Sequence, residues 1–155
     1  MSSDDADLTA TTAGRSRNMA AIRRTDTKPE AQVRSALHRA GFRFRKDLAV
    51  VASGRRTRPD IAFTRQRLAV FIDGCFWHCC PEHGRSPTTN TGYWSPKLAR
   101  NVERDKLQTE ALVADGWVVL RIWEHVGVEA AFREIADEVS RLRDGVAAHG
   151  GSVAN

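Results

Sequence analysis

The chain has 155 residues and a formal net charge of +5, with 41% hydrophobic and 28% charged residues. That length holds one compact domain with a core but not comfortably two, and the balance is ordinary for a soluble globular protein. No apolar run is long enough to span a bilayer, and the opening MSSDDADLTATTAGRSR has no apolar h-region, so a cytoplasmic location is expected.

Residues 1–14, rich in Ser, Asp, Thr and Ala and lacking aromatics, read as a disordered tail. A basic arm or helix follows around 16–24. Thr27-Lys28-Pro29-Glu30 then supplies an N-cap, an early proline and a capping-box glutamate for a helix over 28–40. Its apolar face is Val33, Leu37 and Ala40, and Gly41 stops it. Phe42 to Arg45 reads as a short strand with both phenylalanines on one side. Pro59-Asp60 introduces a strand over 61–64. After the turn Arg65-Gln66-Arg67, LAVFID (68–73) is apolar enough to be central in a sheet.

Further along, the polar loop RSPTTNTGYW leads to a helix over about 96–115 that Gly116 ends, and WVVLRIW (117–123) is a third strand. A closing helix over 128–143 carries Val128, Phe132, Ile135, Val139 and Leu142 at near-heptad spacing, so it packs on something. Residues 144–155 read as a flexible tail. This order of elements predicts an α/β sandwich with a mixed sheet.

Basic residues crowd the first half in runs: Arg15 and Arg17, Arg23-Arg24, Arg43 to Lys46, Arg55 to Arg58, and Arg65 to Arg67. Carboxylates are spread along the chain. A polyanion partner fits this asymmetry, because neutralising phosphates releases counterions; a merely solvated surface would carry the same arginines.

The chemistry concentrates in FIDGCFWHCCPEH (71–83), which holds all three cysteines, Cys75, Cys79 and Cys80. An odd, clustered set gives no disulfide framework, and metal binding in a reducing compartment fits better. Cys75, Cys80, His83 and, after the third strand, His125 would make a closed tetrahedral Zn²⁺ site of structural type. Spacing alone also lets Cys79 or His78 enter that set. Asp60 at a strand start and Asp73 at a strand end could converge at one sheet edge and hold Mg²⁺, which prefers one or two carboxylates plus water and phosphate oxygens. Taken singly, Asp60 reads as a turn residue after proline and Asp73 as a loop residue before glycine.

Glu30 on a helix, then Asp60, then Asp73 follow the pattern of restriction-endonuclease-like nucleases, except that Cys75 stands where a lysine is usual. His78 is the candidate to replace it as general base. Trp117 and Trp123 lie in an apolar strand and read as packing. Phe76, Trp77 and Trp94 lie among polar neighbours, where aromatics either pack or wedge between base pairs.

Five blocks carry a family resemblance: SRNMAAIRRTDTKPE (16–30), RPDIAF (58–63), VFIDGCFWHCCPEH (70–83), YWSPKLARNVERD (93–105) and GWVVLRIWEH (116–125). In this order, and over most of the chain, they resemble the very-short-patch repair (Vsr) DNA mismatch endonucleases. The resemblance implies a restriction-endonuclease-like fold with structural Zn²⁺. It also implies Mg²⁺-dependent nicking of duplex DNA 5′ to the thymine of T:G mismatches left by deamination of 5-methylcytosine.

By that resemblance Asp60 is the principal Mg²⁺ ligand, helped by the Ile72 backbone carbonyl. His78 is the water activator, and Glu30 supports metal-bound water. Phe76, Trp77 and Trp94 are the DNA wedge, and Cys75, Cys80, His83 and His125 are the zinc ligands. The endonuclease domain spans 15–143. Its segment 15–27 is an arm gripping the duplex, with Arg15, Arg17, Asn18, Arg23 and Arg24 on the backbone. Asp73 occupies a site where some relatives have histidine, so its role stays open.

A monomer associated with the nucleoid, with a mismatch-repair coordinating protein as a partner, completes the expectation. The rival readings are a Vsr-like nuclease with a homing or defence target, and a zinc-stabilised DNA-binding module without catalysis. Converging carboxylates argue against the last, since they repel phosphate.

Overall fold

The computed structural model describes residues 27–84, 88 and 90–149, with 146–149 described by backbone alone. The expected tail 1–14, the helix around 16–24, the arm through residue 26 with Arg15, Arg17, Asn18, Arg23 and Arg24, and residues 150–155 lie outside the described residues.

Helix α1 spans Lys28–Arg39, with Pro29 in its first turn and Thr27 as an extended N-cap. The expected capping box does not form. The Thr27 hydroxyl donates to Glu30 Oε1 at 3.0 Å and caps no backbone N–H. The C-terminus closes as a Schellman motif. Gly41, at φ +84°, donates to His38 O at 3.0 Å, and Phe42 donates to Leu37 O at 3.0 Å. Phe42 to Arg45 is not a strand, since its only ladder contact is a single antiparallel bridge from Arg45 to Ala62. Its phenylalanines do face one way, both meeting Phe63 edge-on or tilted at 6.3 and 5.9 Å.

Strands β1 (Val50–Ala52) and β2 (Arg55–Thr57) form a small antiparallel hairpin that the sequence reading missed. Strand β3 (Ile61–Phe63) pairs antiparallel with β4 (Leu68–Asp73), and β4 pairs parallel with β5 (Val118–Trp123). The sheet is therefore mixed, in the order β3-β4-β5, with β4 central and buried throughout. Helix α2 (Thr91–Ala114) makes the crossover between the two parallel strands. It starts several residues before Pro96, where a proline alone would place the first turn. Trp94, in that extra turn, packs its ring against Phe76 and Trp77, which holds the turn in place. A second Schellman closure at Gly116 ends α2, with Gly116 bonding Val113 O and Trp117 bonding Leu112 O.

Helix α3 spans Val128–His149 and runs past the expected end at 143. Period-two alternation on β4 divides the core. Leu68, Val70 and Ile72 meet Val33 and Leu37 of α1 and Ala131, Ile135 and Val139 of α3. Ala69 and Phe71 meet Ala111 and Leu112 of α2 together with Val50 and Ala52 of the hairpin. By the same alternation Asp73 points to the α2 side, where the cleft lies. Among the described residues no helix is long and apolar enough to cross a membrane.

Candidate active site and metal cluster

A cleft of about 760 Å³ opens where the start of β3, the end of β4, α1 and α2 meet. Asp60 sits at its floor, and its Oδ2 accepts a hydrogen bond from the Ile72 N–H at 2.7 Å. The Ile72 carbonyl projects from the same edge as its N–H, because both groups of one strand residue point to the same side. Burial pushes the Asp60 carboxyl up to about 7, against the Ile72 bond, with the Glu30 and Asp73 carboxylates adding to the rise. Glu30, only 3% exposed, lines the cleft from the first turn of α1 and lies 3.6 Å from Arg34 Nη1.

Asp73 does not stand open toward a cation. Arg121 of β5 grips both its oxygens, at 2.9 and 2.7 Å. The guanidinium also lies 4.5 Å over the Phe71 ring, and its Nε donates to Thr109 Oγ1 at 3.2 Å. Glu30, Asp60 and Asp73 thus line one cleft. They do not form a donor set as tight as the Cys/His cluster, the one such set among the described residues.

His78 follows in the turn after β4. Its Nδ1 is hydrogen-bonded to Asp105 Oδ2 and lies 3.8 Å from Asp73 Oδ1. With Nδ1 so held, Nε2 is the nitrogen left for chemistry in the cleft that His78 lines. Burial works to raise the Asp105 carboxyl, but the bond and charge of His78, with Arg121 and Arg104, hold it below the ordinary range. Sequence reading missed both Asp105 and Arg121. Asp105 closes the block YWSPKLARNVERD, and Arg121 is a lone charge inside an apolar strand; those were the available signals.

Behind this cleft, Cys75, Cys80, His83 and His125 bring one donor atom each within 4.8 Å of one another. His125 Nδ1 faces both sulfurs, at 3.1 Å from Cys75 and 3.6 Å from Cys80, and its Nε2 lies 3.4 Å from Glu82. Two thiols and two imidazoles in a closed set suit a tetrahedral soft-to-borderline cation, and an outer carboxylate on the far ring nitrogen is the usual support. Burial and the neighbouring Cys80 push the Cys75 thiol up to about 11, so a cation there must displace its proton. Cys79, exposed at φ +54°, and His78 lie outside the set. The turn closing it requires Gly84, where a Cβ would meet Cys80 O at 2.3 Å. Glu124 Oε1, which also lines the cleft, accepts the Cys75 N–H at 2.8 Å and so ties cluster to cleft.

Phe76, Trp77 and Trp94 gather at the cleft mouth with ring centroids 5.1 to 5.9 Å apart. Trp94 reaches them from helix α2 and not from a loop. Tyr93, 55% exposed, extends the group at 5.2 Å from Trp94, and Lys97 Nζ lies 5.2 to 5.7 Å from the Trp77, Tyr93 and Trp94 rings.

A carboxylate-held imidazole and a desolvated carboxylate lining one open cleft are equipment suited to a hydrolase. Comparison with known proteins makes the class specific. Residues 6–82 match the family model of the DNA mismatch endonuclease Vsr. The chain is 55% identical over 134 residues to the type II nicking enzyme V.NaeI of Lentzea aerocolonigenes, covering 86% of this chain and 81% of that protein. It is 41% identical to the type II nicking enzyme V.XorIIP of Xanthomonas oryzae, covering 77% and 89% of the two chains. Identity to the DNA mismatch endonuclease Vsr of Escherichia coli K12 is 38%, covering 72% and 70%. The protein is a DNA endonuclease. It belongs to the Vsr family.

Proposed function

We propose that this endonuclease nicks duplex DNA 5′ to the thymine of a T:G mismatch, using Mg²⁺ in the cleft and a structural Zn²⁺ in the Cys/His cluster, on a restriction-endonuclease-like fold. The observation that carries the reading is the placement of Asp60 and the His78–Asp105 pair in one cleft whose lining includes two of the three converging aromatic rings, Phe76 and Trp77. Reacting groups and a stacking surface then meet the same stretch of DNA.

Asp60 suits Mg²⁺ because its carboxylate is held in a desolvated site beside other carboxylates, a cost that a cation offsets. Asp60 and the Ile72 carbonyl would hold that ion, which when bound stabilises charge developing on the phosphate and acidifies water. His78 Nε2 takes a proton from the attacking water, and Asp105 stabilises the imidazolium that forms. As the water oxygen bonds to phosphorus, the bond to one ester oxygen breaks and the strand is nicked. Glu30 orients water at the cleft floor. Asp73, neutralised by Arg121, fixes the His78 side of the cleft in place of binding metal. Phe76, Trp77 and Trp94 enter the duplex beside the mismatch, where unstacking costs least.

A labelled duplex carrying T:G or C:G at one position, with randomised flanks and Mg²⁺, tests this. The expected result is a nick only in the T:G duplex, just 5′ to the thymine. Equal cutting of both duplexes would replace mismatch repair with another DNA target, such as homing or defence. Tight binding without cutting would leave a DNA-binding module.

A further inference from the structure

The β1–β2 hairpin forms part of the cleft wall, yet neither the carboxylates nor the imidazole need it. Its second strand reads Arg55-Arg56-Thr57, continued by Arg58. Thr57 is buried, whereas Arg56 and Arg58, two apart and so on one side, are exposed and line the cleft that holds Asp60. Across the ladder Arg56 faces Val51, which is 67% exposed, so this surface is uncovered by the rest of the described fold.

Four arginines line the cleft. Arg121 is committed to Asp73 at 2.7 Å, and Arg104 lies 3.4 Å from Asp105. The side chains of Arg56 and Arg58 have no hydrogen bond or ion pair to any other described residue. The same cleft is lined by the carboxylates of Glu30 and Asp60, and by that of Asp73, which Arg121 neutralises. A phosphate chain approaching these carboxylates is repelled unless cations meet it at the rim, and unpaired guanidiniums suit bidentate phosphate contact.

We propose that the β1–β2 hairpin is a phosphate-holding wall of the cleft, with Arg56 and Arg58 each contacting a backbone phosphate of the duplex beside the cutting site. The inference rests on the nuclease reading above. Contacts of this kind position the duplex without reading its sequence. The hairpin is anchored for the task, since Val50 and Ala52 are buried against the α2 side of the core.

The test is the salt dependence of binding, measured by fluorescence anisotropy on T:G and C:G duplexes without added divalent cation. Each lost phosphate contact lowers the slope of log K against log salt by roughly 0.9. Arg56→Gln with Arg58→Gln should therefore lower it by about 2, weaken both duplexes by the same factor, and leave the melting temperature unchanged. Arg56→Lys should retain the parent slope, because the charge is kept. Should the double variant melt early, Arg56→Gln alone carries the measurement, with an expected loss of about 1. An unchanged slope in the double variant, when the parent nicks T:G DNA, overturns the hairpin's role and leaves the nuclease reading standing. Weakening confined to the T:G duplex also overturns it, because the arginines would then read bases. A parent that neither binds nor nicks DNA overturns both.

Discussion

Asp105 of α2 holds the Nδ1 of His78 across 27 residues of chain, and this contact decides which face of the imidazole is offered to the cleft. A histidine beside two cysteines could equally have been a metal ligand. The carboxylate on Nδ1, together with four other donors gathered elsewhere, gives it a different place.

Replacing Asp105 by Asn should therefore lower single-turnover nicking by roughly 10²-fold, within the range of positioned general-base effects. Affinity for uncut duplex should change little, and Asp105→Glu should recover part of the rate. Quench-flow nicking alongside equilibrium binding separates the two quantities. Equal losses in binding and rate would mean that Asp105 shapes the DNA surface and does not act through His78.

Asp60 should make stability depend on pH. Its folded value, about 7, lies above its unfolded value, so the folded state holds the proton more tightly. The favourable contribution of the protonated form is present at low pH. It fades as pH rises through the window between roughly 4 and 7, leaving a desolvated charge above it. Asp60→Asn should therefore be more stable to unfolding than the parent at pH 8 in magnesium-free buffer, by on the order of 2–4 kcal/mol, and should melt correspondingly higher. The gap should close near pH 4. Added Mg²⁺ should raise the parent and not the variant. A variant that melts lower at pH 8 would show that Asp60 is stabilising in its charged form.

The Cys/His cluster should hold one zinc per chain by elemental analysis. Cys80→Ser should lose both the metal and several degrees of melting temperature, since structural zinc contributes directly to folding. Cys79→Ser, at an exposed position outside the set, should keep the metal. Because the Cys75 thiol is raised to about 11, loading the metal-free protein near neutral pH should release protons into weakly buffered solution. Full zinc content in Cys80→Ser would show that the four donors do not act as one site.

Arg121 ties β5 to β4 through Asp73, which is 6% exposed. Arg121→Met should cost about 3 kcal/mol, because it strands a buried carboxylate. Adding Asp73→Asn to Arg121→Met should recover much of that loss. Chemical denaturation of the two single variants and the double variant completes the cycle; additive losses would mean that the pair is not coupled.

Local pattern determined much of this protein. The apolar runs LAVFID and WVVLRIW, the apolar spacing of the 128–143 segment, and the glycines at 41 and 116 mark elements that depend mainly on neighbours a few residues away. So do the positive-φ stops that ended α1 and α2 where expected. The donor types in FIDGCFWHCCPEH marked a candidate metal cluster for the same reason, since Cys80 and His83 lie close along the chain. Tertiary structure decided the rest. The hairpin over Val50–Thr57 has strands of three residues and a basic sequence, too short for a period to show. Trp94 lies on a helix through Pro96 because aromatic packing outweighs the local helix-start preference of proline. The bonds from His78 to Asp105 and from Arg121 to Asp73 join residues 27 and 48 apart, and only folding the sheet against α2 brings such groups within reach.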